Sequence, residues 1–157
     1  MNLPWAVLER SAWAGVAALG FAILFNVPPR VLWACALNGS AAFAAREGLI
    51  GLHFGSLELA TLYGATVTSV LGVLWAQRYQ APALLFVIPA VIPFVPGALA
   101  FRTIKGLLAL TSKARPDPEL LASVVTNGFK TILVVGAIAV GVALPSLVVL
   151  RRKDPRR

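Results

Sequence analysis

Residues 131–150 read TILVVGAIAVGVALPSLVVL, twenty consecutive positions without a charge, and RRKDPRR follows at once. A run of about 20 apolar residues is the length a helix needs to cross the hydrocarbon core of a bilayer. Arg and Lys crowded just past such a run mark a cytoplasmic flank. The feature puts the chain in a membrane and predicts that its C-terminal tail lies inside the cell.

Composition supports this reading. Hydrophobic residues make up 59% of the 157 and charged residues 13%. A soluble domain carries about 25% charged residues, so this chain lacks the polar surface that water requires. The formal net charge is +8. The basic residues sit between apolar runs and at the tail, where orientation and anionic lipid headgroups account for them without nucleic acid. Cys35 is the single cysteine, accompanied by one His and one Met. It forms no intrachain disulfide and builds no zinc site alone, so no metal and no cofactor is expected. The first apolar run continues to Pro28 with no small-residue cleavage site behind it, which predicts a retained first helix.

Charges divide the chain into apolar blocks: 11–29, 31–45, 59–77, 79–101 and 131–150. They predict an all-α integral membrane protein of four to five transmembrane helices in one membrane domain, 1–157. The spans are expected at about 8–28, 30–51, 57–78, 82–112 (broken near 93–97) and 119–150. The second is the shortest block, and it continues through Arg46 and Glu47, which either face a protein interior or snorkel to the interface. Ala14, Ala18 and Ala22 are four apart, as are Gly64, Thr68 and Gly72, and again Ala137, Gly141 and Pro145. Small residues at this spacing let helix backbones approach closely in lipid, and they also leave room for a homo-oligomer. Trp5, Trp33, Trp75 and Tyr79 fall near predicted helix ends, the place of aromatic anchors.

Two segments interrupt the pattern. Pro93-Phe94-Val95-Pro96-Gly97 must break a helix at membrane depth, because proline removes a donor and clashes with the preceding turn. Polar backbone freed there faces protein or a wet cavity, never lipid. Lys113 to Glu119 is a polar turn, with Asp117 and Glu119 suited to a helix N-terminus. Topology is in tension here. With the tail inside, simple counting puts the loop from Arg102 to Glu119 outside, although it holds four basic residues. A re-entrant Pro-rich segment would reverse that parity.

Polar groups within a bilayer are costly and mark substrate paths or partners. Arg102 and Lys105 follow the break. Asn127 and Lys130 sit about one turn apart along the last helix, where a lysine calls for a counter-ion, a cavity or a partner subunit. Glu58 opens the third span and is the candidate for proton coupling. Arg30, Arg78 and Arg102 also read as headgroup boundaries, His53 as an interfacial loop residue and Cys35 as a packing residue. No Ser/His/Asp set, paired carboxylates, phosphate-binding glycine loop or ligand-spaced His/Cys cluster is present, so catalysis is not expected.

The run Gly20 to Arg30, GFAILFNVPPR, resembles the first-helix signature of the threonine/serine exporter superfamily through Asn26, Pro28 and Arg30. Cys35-Ala36-Leu37, Gly39-Ser40, the Pro89 to Gly97 run, Asn127 and Gly136 to Gly141 extend the likeness along nearly the whole chain. More narrowly the chain resembles the small membrane subunit of the two-subunit, YjjB-like members. The resemblance implies a secondary exporter of threonine and serine, or of dicarboxylates such as succinate. It implies a larger membrane subunit as partner and a bacterial inner-membrane location. The half-helix opening at Gly97 is then the expected seat of a solute carboxylate, with Pro93, Pro96, Arg102, Lys105, Asn127 and Lys130 around it. A non-transporting scaffold that stabilises a larger membrane partner is the alternative.

Overall fold

The computed structural model describes residues 3–52, 55–112 and 117–152, with side chains described from 4 to 145 among these. Every regular element is helical: α1 (Leu3–Leu24), α2 (Leu32–Gly51), α3 (Leu57–Tyr79), α4 (Leu84–Val91), α5 (Gly97–Thr111) and α6 (Pro118–Arg152). Single 3-10 turns lie at Pro29–Val31 and Ile92–Phe94. His53, Lys113 and the final residues 153–157 lie outside the described residues.

Local chemistry sets the helix ends. Past α1 the chain turns at Asn26, held at φ 57, a left-handed conformation that Asn tolerates better than most residues. Pro28 and Pro29 then start the 3-10 turn that leads into α2. Thus the Asn-x-Pro-x-Arg signature works as a turn between two helices. Ser56 caps α3 through its hydroxyl, which accepts from Leu59 N at 3.4 Å. At α6, Asp117 Oδ1 accepts from Glu119 N at 3.1 Å and Pro118 takes the first helical position, where its missing N–H costs nothing.

Cross-helix contacts give the direction of each rod. On α2 and α3, Arg46 meets Thr61, Asn38 meets Thr68 and Trp33 meets Trp75, so the pair is antiparallel. Arg10 pairs with Glu47 at 3.0 Å, and Gly15 packs on Ser40, which makes α1 antiparallel to α2. Cys35 reaches Leu85, Asn38 reaches Phe86 and Phe43 reaches Phe94, so α4 runs parallel to α2. The axis then bends by 52° between Leu84–Phe94 and Gly97–Thr111. A bend below a right angle keeps the heading, and α5 continues the path of α4 rather than turning back. Gly106 packs on Val124 and Thr103 lies near Gly128, so α6 returns antiparallel to α5. The chain crosses the bundle in alternating directions, and its described ends lie on opposite faces.

Three of these helices are long and apolar enough to cross a membrane, and the bent α4–α5 pair meets the same length and composition only when taken as one span. The α2 helix, with Asn38, Arg46 and Glu47 on it, is enclosed by α1, α3 and α4. Small residues allow that enclosure. Ala14, Ala18 and Ala22 on α1 are buried, as are Gly64 and Thr68 on α3 against α2 and Gly72 against α4. On α6, a Cβ at Gly141 would lie 2.7 Å from both Ala65 Cβ and Leu62 O. All three small-residue faces therefore carry helix contacts. The α3 window is 44% buried and that of α6 11%, so α3 is central and α6 lies on the outside.

Gly141→Ala must therefore push α6 off the α3 backbone and is expected to cost about 1–3 kcal/mol, the usual range for overpacking. Gly136→Ala on the same helix meets nothing within 4 Å and is expected to be neutral. Thermal midpoints of the two variants in one detergent check the contrast.

Candidate functional site

A helix that contains prolines cannot satisfy its own backbone. Pro89 offers no N–H to the Leu85 carbonyl one turn earlier. That carbonyl instead accepts from the Cys35 thiol, with Sγ at 3.4 Å. One residue on, the Phe86 carbonyl accepts from Asn38 Nδ2 at 3.0 Å, and the same amide nitrogen reaches Thr68 O at 3.2 Å. Asn38 is wholly buried and clamps three helices through one NH2 group. Its Oδ1 has no hydrogen-bond partner among the described residues, an expensive vacancy in a low-dielectric interior. The pattern on α2 is thus a polar ladder facing the proline-rich segment.

The break sits at the foot of this ladder. Val95 N bonds Ile92 O at 3.0 Å and Gly97 N bonds Val95 O at 2.8 Å, which tightens the chain before α5 starts. Phe94 is buried among Ala42 and Ala65. The amides of Ala98 and Leu99, in the first turn of α5, have no hydrogen-bond partner among the described residues. Open amides at a helix start attract anions. A Cβ on Gly97 would meet nothing within 4 Å, so this start is open.

Arg46 extends from α2 onto the break. Its Nε donates to Thr61 Oγ1 at 3.1 Å. Its guanidinium lies over Phe43 at 5.5 Å and over Phe94 at 5.6 Å. Both distances fall within the reach of a cation–π contact. Arg46 is half-buried, and the side chain of Glu47 is only 13% exposed while it binds the exposed Arg10. Gly64 makes space for Arg46, since a Cβ there would lie 3.0 Å from Arg46 Cβ and 3.2 Å from Phe94 Cε2.

The residues singled out in the sequence are spread over two ends and the middle. Pro93 and Pro96 are half-buried at the break, and Gly97 is exposed beside them. Arg102 and Lys105 are exposed on α5. Asn127 Nδ2 donates to Ser123 Oγ at 3.3 Å within its own helix. Lys130 is exposed on α6, near enough for its charge to act on Glu58, which also bonds Ser56. Asn26, Pro28 and Arg30 lie exposed in the turn at the other end, apart from the break. An open groove of about 260 Å3 near that turn is lined by Phe25, Val27, Pro82, Leu84, Leu85, Ile88 and Pro89. It presents no charged or amide side chain to a polar solute.

Loss of the clamp is measurable. Asn38→Ala is expected to lower stability by roughly 1–3 kcal/mol, the cost of unpairing buried polar groups. Leu37→Ala, half exposed on the neighbouring position, is expected to change it little. Cys35 is fully buried and is expected to resist a maleimide in the folded protein and react after denaturation, as read by mass.

No solved structure matches this chain. The profile of the family described as threonine/serine exporter, ThrE, matches residues 10–148. That match runs from α1 into α6 and includes the Asn38 clamp, Arg46 and the proline-glycine break. The chain is therefore a multi-pass membrane protein of exporter type, and it belongs to the threonine/serine exporter family.

Proposed function

We propose that this chain is the small membrane subunit of a secondary exporter that moves small carboxylate-bearing solutes, threonine and serine or dicarboxylates such as succinate, out of the cell with a larger partner subunit. The observation that carries the reading is the interrupted α4–α5 helix, whose first α5 amides have no partner among the described residues and stand beside an open Gly97. Transporters place solutes at such discontinuities, where a helix N-terminus meets an anionic group. Every candidate solute carries a carboxylate. Arg102 and Lys105, one and two turns along α5, add positive field on the same side of the break.

The partner is supported by what α5 and α6 expose. Phe101, Ile104, Leu108, Phe129 and Ile132 are each more than half exposed. A second subunit covers such a face as readily as lipid does, and a further copy of this chain is the other occupant of that surface. The protein sits in the bacterial inner membrane. The end of α6 lies at the same end of the bundle as Arg30 and Arg78, and this basic side is cytoplasmic by the rule that basic flanks stay inside. Glu58, between Ser56 and Lys130, is the carboxylate that would couple transport to a proton gradient.

The same exposed faces favour a second reading, in which the chain only stabilises the larger subunit. Proteoliposomes with the larger subunit alone and with both subunits separate the two readings. Export is expected only when both are present, and full-rate export by the larger subunit alone would establish the scaffold. Within the complete exporter, the double change Pro96→Ala and Gly97→Ala is expected to reduce efflux to background with membrane levels unchanged. Since space at Gly97 accepts a methyl, that loss would come from restoring a continuous helix.

A further inference from the structure

We infer that Arg46 receives the carboxylate of the exported solute, as a paired hydrogen-bond contact from its two terminal nitrogens beside the break. The inference rests on the exporter reading above and adds to it the residue that selects the solute's charged group.

An arginine set among membrane helices normally hydrogen-bonds an acid, and Arg46 hydrogen-bonds none among the described residues. Glu47 follows it in sequence, but neighbouring helix positions point in different directions, and Glu47 Oε2 is bound to Arg10 Nη1 at 3.0 Å. Glu47 is the one carboxylate among the described residues whose charge acts on Arg46. On α3, Glu58 is engaged with Ser56 and the charge of Lys130. Arg46 uses Nε for Thr61, and its guanidinium carbon lies 5.5 and 5.6 Å from the ring centres of Phe43 and Phe94. Nη1 and Nη2 make no hydrogen bond among the described residues, and neither is a sealed, unpartnered atom.

That geometry is preorganised. Thr61 anchors the near end of the guanidinium and two rings lie within cation–π reach of it, which limits the freedom left to lose on binding. A planar fork with two free donors matches a carboxylate with two parallel contacts. Phe94, one of the two rings, stands three residues before Gly97, so an anion held by Arg46 lies against the interruption itself. Arg102 and Lys105 are exposed on α5 and lack this support. A lipid phosphate offers the same oxygen chemistry, and the test below separates the two sources.

Both subunits are reconstituted in proteoliposomes loaded with labelled threonine or succinate, and efflux is measured against internal concentration. If the wild type shows no saturable efflux of either solute, the exporter reading fails, and this inference with it. Given wild-type efflux, Arg46→Gln is expected to raise the half-saturation concentration roughly 10- to 100-fold, the scale of a hydrogen-bonded charge contact. It should also abolish the preference for threonine over threoninamide, in which a neutral carboxamide replaces the carboxylate. Arg46→Lys keeps charge without the fork and is expected to fall between. Arg78→Gln, an exposed charge over Tyr79, is expected to match the wild type. An unchanged half-saturation in Arg46→Gln overturns the inference. So does a lower maximal rate with half-saturation and amide discrimination intact, the signature of a structural prop or a lipid contact. If Arg46→Gln does not insert, Thr61→Val decides: it leaves the arginine but frees Nε, and a raised half-saturation supports the inference while an unchanged one overturns it.

Discussion

The polar backbone of α4 has to find partners inside a bundle that excludes water, and the rest of the arrangement follows from that requirement. Proline at 89 removes the donor for Leu85 O, and the tight turns from Ile92 to Gly97 end the ordinary helical ladder. In hydrocarbon no solvent repairs such a defect. The repair comes from α2, which runs parallel to α4 and presents Cys35 and Asn38 to Leu85 and Phe86 in the same order. One turn of α2 after another therefore carries a group that answers α4. This explains why an otherwise greasy helix keeps a buried asparagine.

Close backbone approach makes the repair possible. Asn38 reaches Thr68 and Phe86 at once only because α2 lies tight against both α3 and α4. Gly39 abuts Ala18, with a Cβ distance that would be 2.6 Å, and Gly72 abuts Val87 of α4 from the α3 face that carries Thr68. Dispersion between such closely packed surfaces holds membrane helices together where no hydrophobic drive exists. Aromatic rings finish one end. Trp33, Trp75 and Tyr79 pack edge to face and tilted at 5.2 to 6.2 Å, and Tyr79 continues to Phe86. At the opposite end the charged pair of Arg10 and Glu47 ties α1 to α2, with Arg46 one position away facing α3. The bundle is thus rigid around its centre and presents its least buried elements, α5 and α6, outward.

Much of this was legible in the chain, because it depends on local chemistry. Proline spacing announced the interruption, alanine and glycine at every fourth position announced the contact faces, and Asp117-Pro118-Glu119 announced the start of the last helix. Legibility stopped where function depends on which helices meet. Asn38 was visible as a polar residue in an apolar block, but its partners lie 30 and 48 residues away. Arg46 read equally well as an interfacial or an interior group, since burial of a long cation is decided by the neighbour across from it. Here that neighbour is Gly64, whose missing side chain makes the space. By contrast, Arg102 and Lys105 drew notice through nearness in sequence to the break, whereas the cation packed on the break comes from a different helix. The course of 82–112 likewise depends on a bend angle that sequence does not encode, here 52° between α4 and α5. The basic residues on both ends of the bundle remain as read.

The central claim is that the interruption opens to water from within the membrane. Single cysteines placed at positions 96 to 99 in the assembled exporter, with buried Cys35 as the silent background, can be challenged in intact membranes by a small charged thiol reagent. The account predicts reaction at Gly97 and Ala98, slowed by threonine or succinate, and none at a cysteine placed at Val16, an exposed apolar position midway along α1. Uniform lack of reaction across 96 to 99 would contradict it, as would rapid labelling by bulky reagents that no solute slows.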